Sequence, residues 1–136
     1  MSVDVVDEVG YERLDQETAS RLVATTFFRL GLDLDRLGEV SVALVDAETI
    51  RNLNLEFRNK DEPTDVLSFG MDGPYGEMVG EVVICPPCAS PEMGVEELVV
   101  HGALHLAGMD HGEDFESSEM AGVQEAVMEE SRGEEG

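Results

Sequence analysis

At 136 residues the chain has room for one domain and too little for two. Its 42% apolar and 29% charged residues are the balance of an ordinary globular protein. The 31 Asp+Glu against 8 Lys+Arg leave a net charge of −23, which disfavours a passive nucleic-acid coat, because neutralising many phosphates needs a broad basic surface; RNA chemistry at one local site, a basic protein partner, or solvation in high salt all remain open.

Residues 1–10 carry Asp4, Asp7 and Glu8 and no apolar stretch, so no signal peptide is expected. Val3, Val5 and Val9 alternate with acids and predict a first strand. Around 15–30, Leu14, Leu22, Val23, Phe27 and Leu30 recur near helical spacing, and Gly31 stands where a glycine ends a helix. Val40, Val42 and Leu44 alternate as a second strand. Asp46 is placed to cap a helix through Ile50, Leu53 and Phe57. Strands follow at 65–69 and 79–84, joined by a turn near Gly73-Pro74, and Pro86, Pro87 and Pro91 then interrupt regular structure.

A helix is predicted over 95–107, apolar at Leu98, Val99, Ala103, Leu104 and Leu106 and ended by Gly108. A last helix over 115–130 buries Met120, Val123 and Val127. The single domain spans 1–130, and 131–136, rich in Gly and Glu, reads as a disordered acidic tail. No stretch approaches the ~20 apolar residues of a membrane helix. Two cysteines cannot staple a secreted scaffold. A cytoplasmic protein with reduced thiols and no membrane partner is expected. Strands alternate with helices, yet some strands are adjacent. That order predicts an α+β fold, a small mixed sheet of about four strands with helices packed on it.

All three histidines fall in His101-Gly-Ala-Leu-His105-Leu-Ala-Gly108-Met-Asp110-His111. His101 and His105 lie one turn apart on one face of the predicted helix. Gly108 can adopt the left-handed conformation that ends a helix, letting the chain return His111 towards them. Three imidazoles converging on one point, with no fourth protein ligand, form a zinc site with an open position at the end of this helix. An open position holds water that the metal acidifies, the layout of a hydrolase.

The spacing equals that of the metzincin proteases, but Gly102 stands where they carry a glutamate base. Peptide hydrolysis by that route is therefore disfavoured, although a zinc hydrolase of another substrate stays open. Asp110 is placed to orient a histidine ring or to form a turn hydrogen bond.

The stretch from Asn54 to Phe69 holds Arg58 and Lys60, two of the few cations in the chain. The planar guanidinium of Arg58 can grip a phosphate bidentately. The bland alternative is a charged helix-to-strand loop balanced by Asp61, Glu62 and Asp65. Cys85-Pro-Pro-Cys88 has C-x-x-C spacing, but its prolines block the helical turn that activates a redox thiol, and no second pair completes a zinc ribbon. The two thiols read as incidental.

The histidine segment resembles the H-G-x-L-H-L-x-G-x-D-H motif of the YbeY family of endoribonucleases and rRNA maturation factors. Asn54-x-x-Phe57-Arg58-x-Lys60-Asp-x-Pro63-Thr64-Asp65-Val-Leu-Ser68-Phe69 is similar to that family's second block, and Gly80-Glu81-Val-Val-Ile84 to its G-D-I-x-I strand. The resemblance implies a zinc-dependent endoribonuclease specific for single strands, with one Zn2+ per chain on His101, His105 and His111. It implies work on the 3′ end of the 16S rRNA precursor and in ribosome quality control. Arg58 matches the family arginine associated with activity. Lys60 is expected to help guide the RNA strand.

DNA is not an expected substrate. A small-subunit ribosomal protein is a further expected partner, since basic ribosomal proteins would be steered to an acidic surface. The alternative is an assembly factor whose zinc is mainly structural. The chain departs from the family in a short, proline-rich 85–95 segment, in Met109 where an aromatic is common, and in Gly70 where proline is usual.

Overall fold

Burial with a period of two on the strands sets the architecture. The computed structural model describes residues 2–33, 35, 37–109 and 118–135, without the side chains of 134 and 135. Four strands, β1 (Ser2–Asp7), β2 (Leu37–Leu44), β3 (Val66–Asp72) and β4 (Met78–Ile84), form one sheet in the order β1-β2-β4-β3. β1 and β2 run parallel, as do β2 and β4, whereas β3 and β4 are antiparallel. The sheet is mixed and the fold is α+β, as the order of elements predicted.

The two faces take different cover. Val3, Val40, Val42, Leu44, Val82 and Ile84 point to one side. There they meet α1 (Gln16–Arg29), α3 (Val95–Leu106) and α4 (Glu119–Glu135). Ala43, Val45, Leu67, Val83 and Cys85 point to the other and meet Ile50 and Leu53 of α2 (Ala47–Arg58). The continuous apolar run at Val82-Val83-Ile84 follows from cover on both faces of β4. α3 is buried on most of its circumference, which makes it the central helix.

Local chemistry fixes the helix ends. Thr18 and Thr49 donate their backbone N–H groups to the carboxylates of Asp15 and Asp46, at 2.7 and 2.8 Å, so both acids are N-caps. These bonds, with those from the threonine hydroxyls, hold both carboxyls below the ordinary 3.8. A lowered folded-state value means that this stabilisation is present above the unfolded pKa and is lost as pH falls through the folded one. Thermal melts should therefore show a steeper loss below pH ~4 for the parent chain than for Asp46→Asn, whose amide oxygen caps without a charge to titrate. Equal losses would remove Asp46 from the acid transition.

Two expectations are corrected. β1 stops at Asp7, because the Asp7 carboxylate turns the chain by accepting N–H bonds from Val9, Tyr11 and Glu12. Residues 131–135 are no disordered tail but the last turns of α4. Val127, Met128 and Ser131 are buried along that helix, and Arg29 of α1 binds Glu130 at 3.0 Å, so packing extends it. Of the last helix expected at 115–130, residues 115–117 lie outside the described residues.

Candidate active site

α3 carries the first two histidines and ends as the sequence requires. Gly108 takes φ 94°. Its N–H donates to the His105 carbonyl, and the Met109 N–H to the Leu104 carbonyl, both at 3.0 Å. That pair of bonds is the Schellman arrangement, which needs a residue of positive φ, here glycine, at this position.

His101 and His105 meet at their Nε2 atoms, 3.2 Å apart, with the rings near edge-on. His101 is buried, and its Nδ1–H donates to Oε1 of Gln124 on α4 at 3.1 Å. This tautomer leaves a lone pair on Nε2, the atom facing His105. A tetrahedral zinc with Zn–N bonds of ~2.05 Å holds two ligand nitrogens about 3.3 Å apart. The pair therefore fits a metal in spacing and in donor chemistry. Among the described residues no group of three metal-ligating side chains occurs. The third expected ligand, His111, and Asp110 lie outside the described residues.

The imidazoles face a cleft of about 830 Å³ between α3, β3 and the end of α2. Arg58, the last residue of α2, lines the same cleft, as do Phe57, Asp65, Ser68 and Phe69. Asn59 ends α2 in the left-handed conformation, and the Asn54 side-chain amide donates to the Glu62 carbonyl at 2.9 Å, tying the following loop to the helix. Among the described residues no carboxylate lies within ion-pair distance of Arg58. Arg51, by contrast, is held by Asp61 at 2.7 Å. Lys60 is exposed and is not among the residues lining the cleft.

Gly102 has a second meaning that the protease comparison missed. A Cβ there would collide with Cγ1 of Val82 and lie 3.1 Å from Oγ of Ser68. The Ser68 hydroxyl donates to the Gly102 carbonyl at 3.0 Å. α3 thus rests directly on the sheet at the point where it presents His101. Sequence reasoning also missed Gln124 and Phe69. Gln124 left no local signal, because its partner is 23 residues away; Phe69 reads only as the end of the 65–69 strand.

Cys85 is fully buried and Cys88 partly so, with sulfurs 2.7 Å apart. Burial, reinforced by the hydrogen bond the protonated Cys85 thiol gives to Cys88, pushes that thiol up to about 12. The thiolate is the reactive form. A disulfide reagent at pH 8 should therefore leave Cys85 unmodified in the native protein and reach it only after denaturation. Two rapidly titrating thiols would contradict this.

Together the fold and cleft define a small α+β protein with a paired-imidazole floor and, beside it, a guanidinium that has no carboxylate partner among the described residues, a set suited to phosphate esters. The family model described as Endoribonuclease YbeY matches residues 5–132. An endoribonuclease YbeY of Rubrobacter xylanophilus is 65% identical over 132 residues, covering 96% of both chains. One of Streptomyces coelicolor is 35% identical, covering all of this chain and 93% of its own. A Thermotoga maritima protein solved in solution superposes with a TM-score of 0.59 at 30% identity, over 97% of this chain and 90% of its own. The chain belongs to the endoribonuclease YbeY family, and is thus an enzyme of the nuclease class. Among the described residues no helix is long and apolar enough to cross a membrane.

Proposed function

We propose that this chain is a zinc-dependent endoribonuclease specific for single-stranded RNA, acting in the cytoplasm on the 3′ end of the 16S rRNA precursor and in ribosome quality control. The observation that carries the reading is one cleft holding both the His101–His105 nitrogen pair and Arg58. His101, His105 and His111 would hold the zinc, which supplies Lewis acidity towards a phosphoryl oxygen and acidifies water. Gln124 fixes the His101 tautomer. Arg58 grips the scissile phosphate and balances the charge that builds on its oxygens. Lys60, outside the cleft wall, guides the strand towards it, and Asp110 orients a ligand ring or the turn before His111. The acidic surface is the side offered to a basic small-subunit ribosomal protein.

The test is metal content per chain in the parent and in His105→Ala, purified without chelator or metal resin, followed by cleavage of single-stranded RNA. About one zinc in the parent, little in the variant and metal-dependent cleavage are expected. No metal even after zinc is supplied would overturn the hydrolytic mechanism, whereas bound metal without RNA cleavage would leave the assembly-factor reading. Product ends separate two routes of attack: a 2′,3′-cyclic phosphate marks attack by the RNA's own 2′-OH and excludes direct attack by water.

Gln124→Leu should weaken metal binding about 10- to 100-fold in a chelator competition, because the ring loses its orienting acceptor. Gln124→Glu, which keeps an acceptor, should retain most of it. Unchanged affinity in Gln124→Leu would remove Gln124 from the site.

A further inference from the structure

The chain is poor in aromatic residues at 5%, yet two of its phenylalanines meet at the cleft. Phe57 and Phe69 pack with centroids 5.1 Å apart and planes tilted by 59°. Phe69 leans on the small core beneath α2. Phe57 does not complete a core: it is 59% exposed at the end of α2, immediately before Arg58, and both line the cleft that holds the histidine pair. A lone exposed apolar side chain is ordinary. An exposed ring braced from behind by a second ring, next to a guanidinium and inside the cleft, is a platform.

Charge gives the cleft little hold on RNA. Among the described residues lining it, Arg58 is the one lysine or arginine, and Asp65 offsets it. The rest of the molecule, at −23, repels phosphate. Stacking is indifferent to that field, and every base has a π-face. We propose that Phe57, braced by Phe69, is a base-stacking subsite that seats one unpaired nucleobase beside the phosphate held by Arg58. The inference rests on the RNA-cleaving reading above and adds what positions the strand. It also supplies a physical source of strand preference, since a base paired within a duplex cannot lay its face on the ring.

The test uses the full-length zinc-loaded protein and a short 2′-O-methylated oligonucleotide carrying 2-aminopurine, which reports stacking by fluorescence without cleavage. Phe57→Leu keeps an apolar side chain at an exposed position and should fold, as a thermal melt would verify. It should weaken binding about 5- to 150-fold and abolish the quenching, whereas Phe57→Trp should retain both. On cleavable single strands, KM should rise in Phe57→Leu with kcat little changed.

The salt dependence should be shallow, near a slope of about −0.7 in log–log form, as for one phosphate contact. If Phe57→Leu binds as tightly as the parent while Arg58→Ala does not, RNA is bound without the platform and the proposal is wrong. If the parent neither binds nor cuts single-stranded RNA, the underlying reading fails and the proposal falls with it.

Discussion

Arg58→Ala is expected to lower kcat/KM for single-stranded RNA about 100- to 1,000-fold, the usual cost of removing one donor aimed at developing charge. The cause is local. Arg58 lines the cleft with His101 and His105, and among the described residues no carboxylate competes for its guanidinium. Its side chain is exposed, so the melting temperature should move little. Metal content should be unchanged, because Arg58 is no ligand. Arg58→Lys should restore only part of the rate, since an ammonium keeps the charge but lacks the planar fork. Single-turnover cleavage with metal analysis of each variant checks this. Full activity in Arg58→Ala with metal still bound would refute the role.

Gly102→Ala is expected to destabilise the fold by about 1–3 kcal/mol, as overpacking of a tight core does. The sign is informative, because alanine inside a helix normally gains up to about 1 kcal/mol over glycine. Here the added methyl meets Val82, fully buried on a central strand, so relief requires moving α3 or β4. Moving α3 would also strain the Ser68–Gly102 bond and shift His101 relative to Arg58. Denaturant midpoints, with activity measured alongside, are the check; a more stable Gly102→Ala would show that the contact yields cheaply. Gly102→Glu should be worse still, because its carboxylate would start from the same clash. The metzincin base therefore cannot be restored by one substitution: the glycine that removes it also lets the helix lie on the sheet.

The parts of the fold readable in the sequence were those written within a few residues. Asp46 announced a helix start because a cap reaches only three residues ahead. The alternation at Val40, Val42 and Leu44 announced a strand with one face on the main core. His101 and His105 announced a shared helix face because helical periodicity alone sets their spacing. Gly108 announced the stop because the positive φ it adopts costs glycine least.

What stayed hidden depends on which surfaces meet. The composition of 131–136 suggested disorder, yet burial of Met128 and Ser131 and the Arg29–Glu130 pair carry α4 on to residue 135. Gln124 became the partner of His101 only because α4 crosses α3. Phe57 follows Ile50 and Leu53 at helical spacing, yet its ring stands exposed in the cleft against Phe69 of β3. Local pattern specifies elements and their caps, since those energies are summed over neighbours in the chain. The partners across the cleft follow from packing between elements far apart in sequence, where one residue's contacts depend on every crossing angle and register around it.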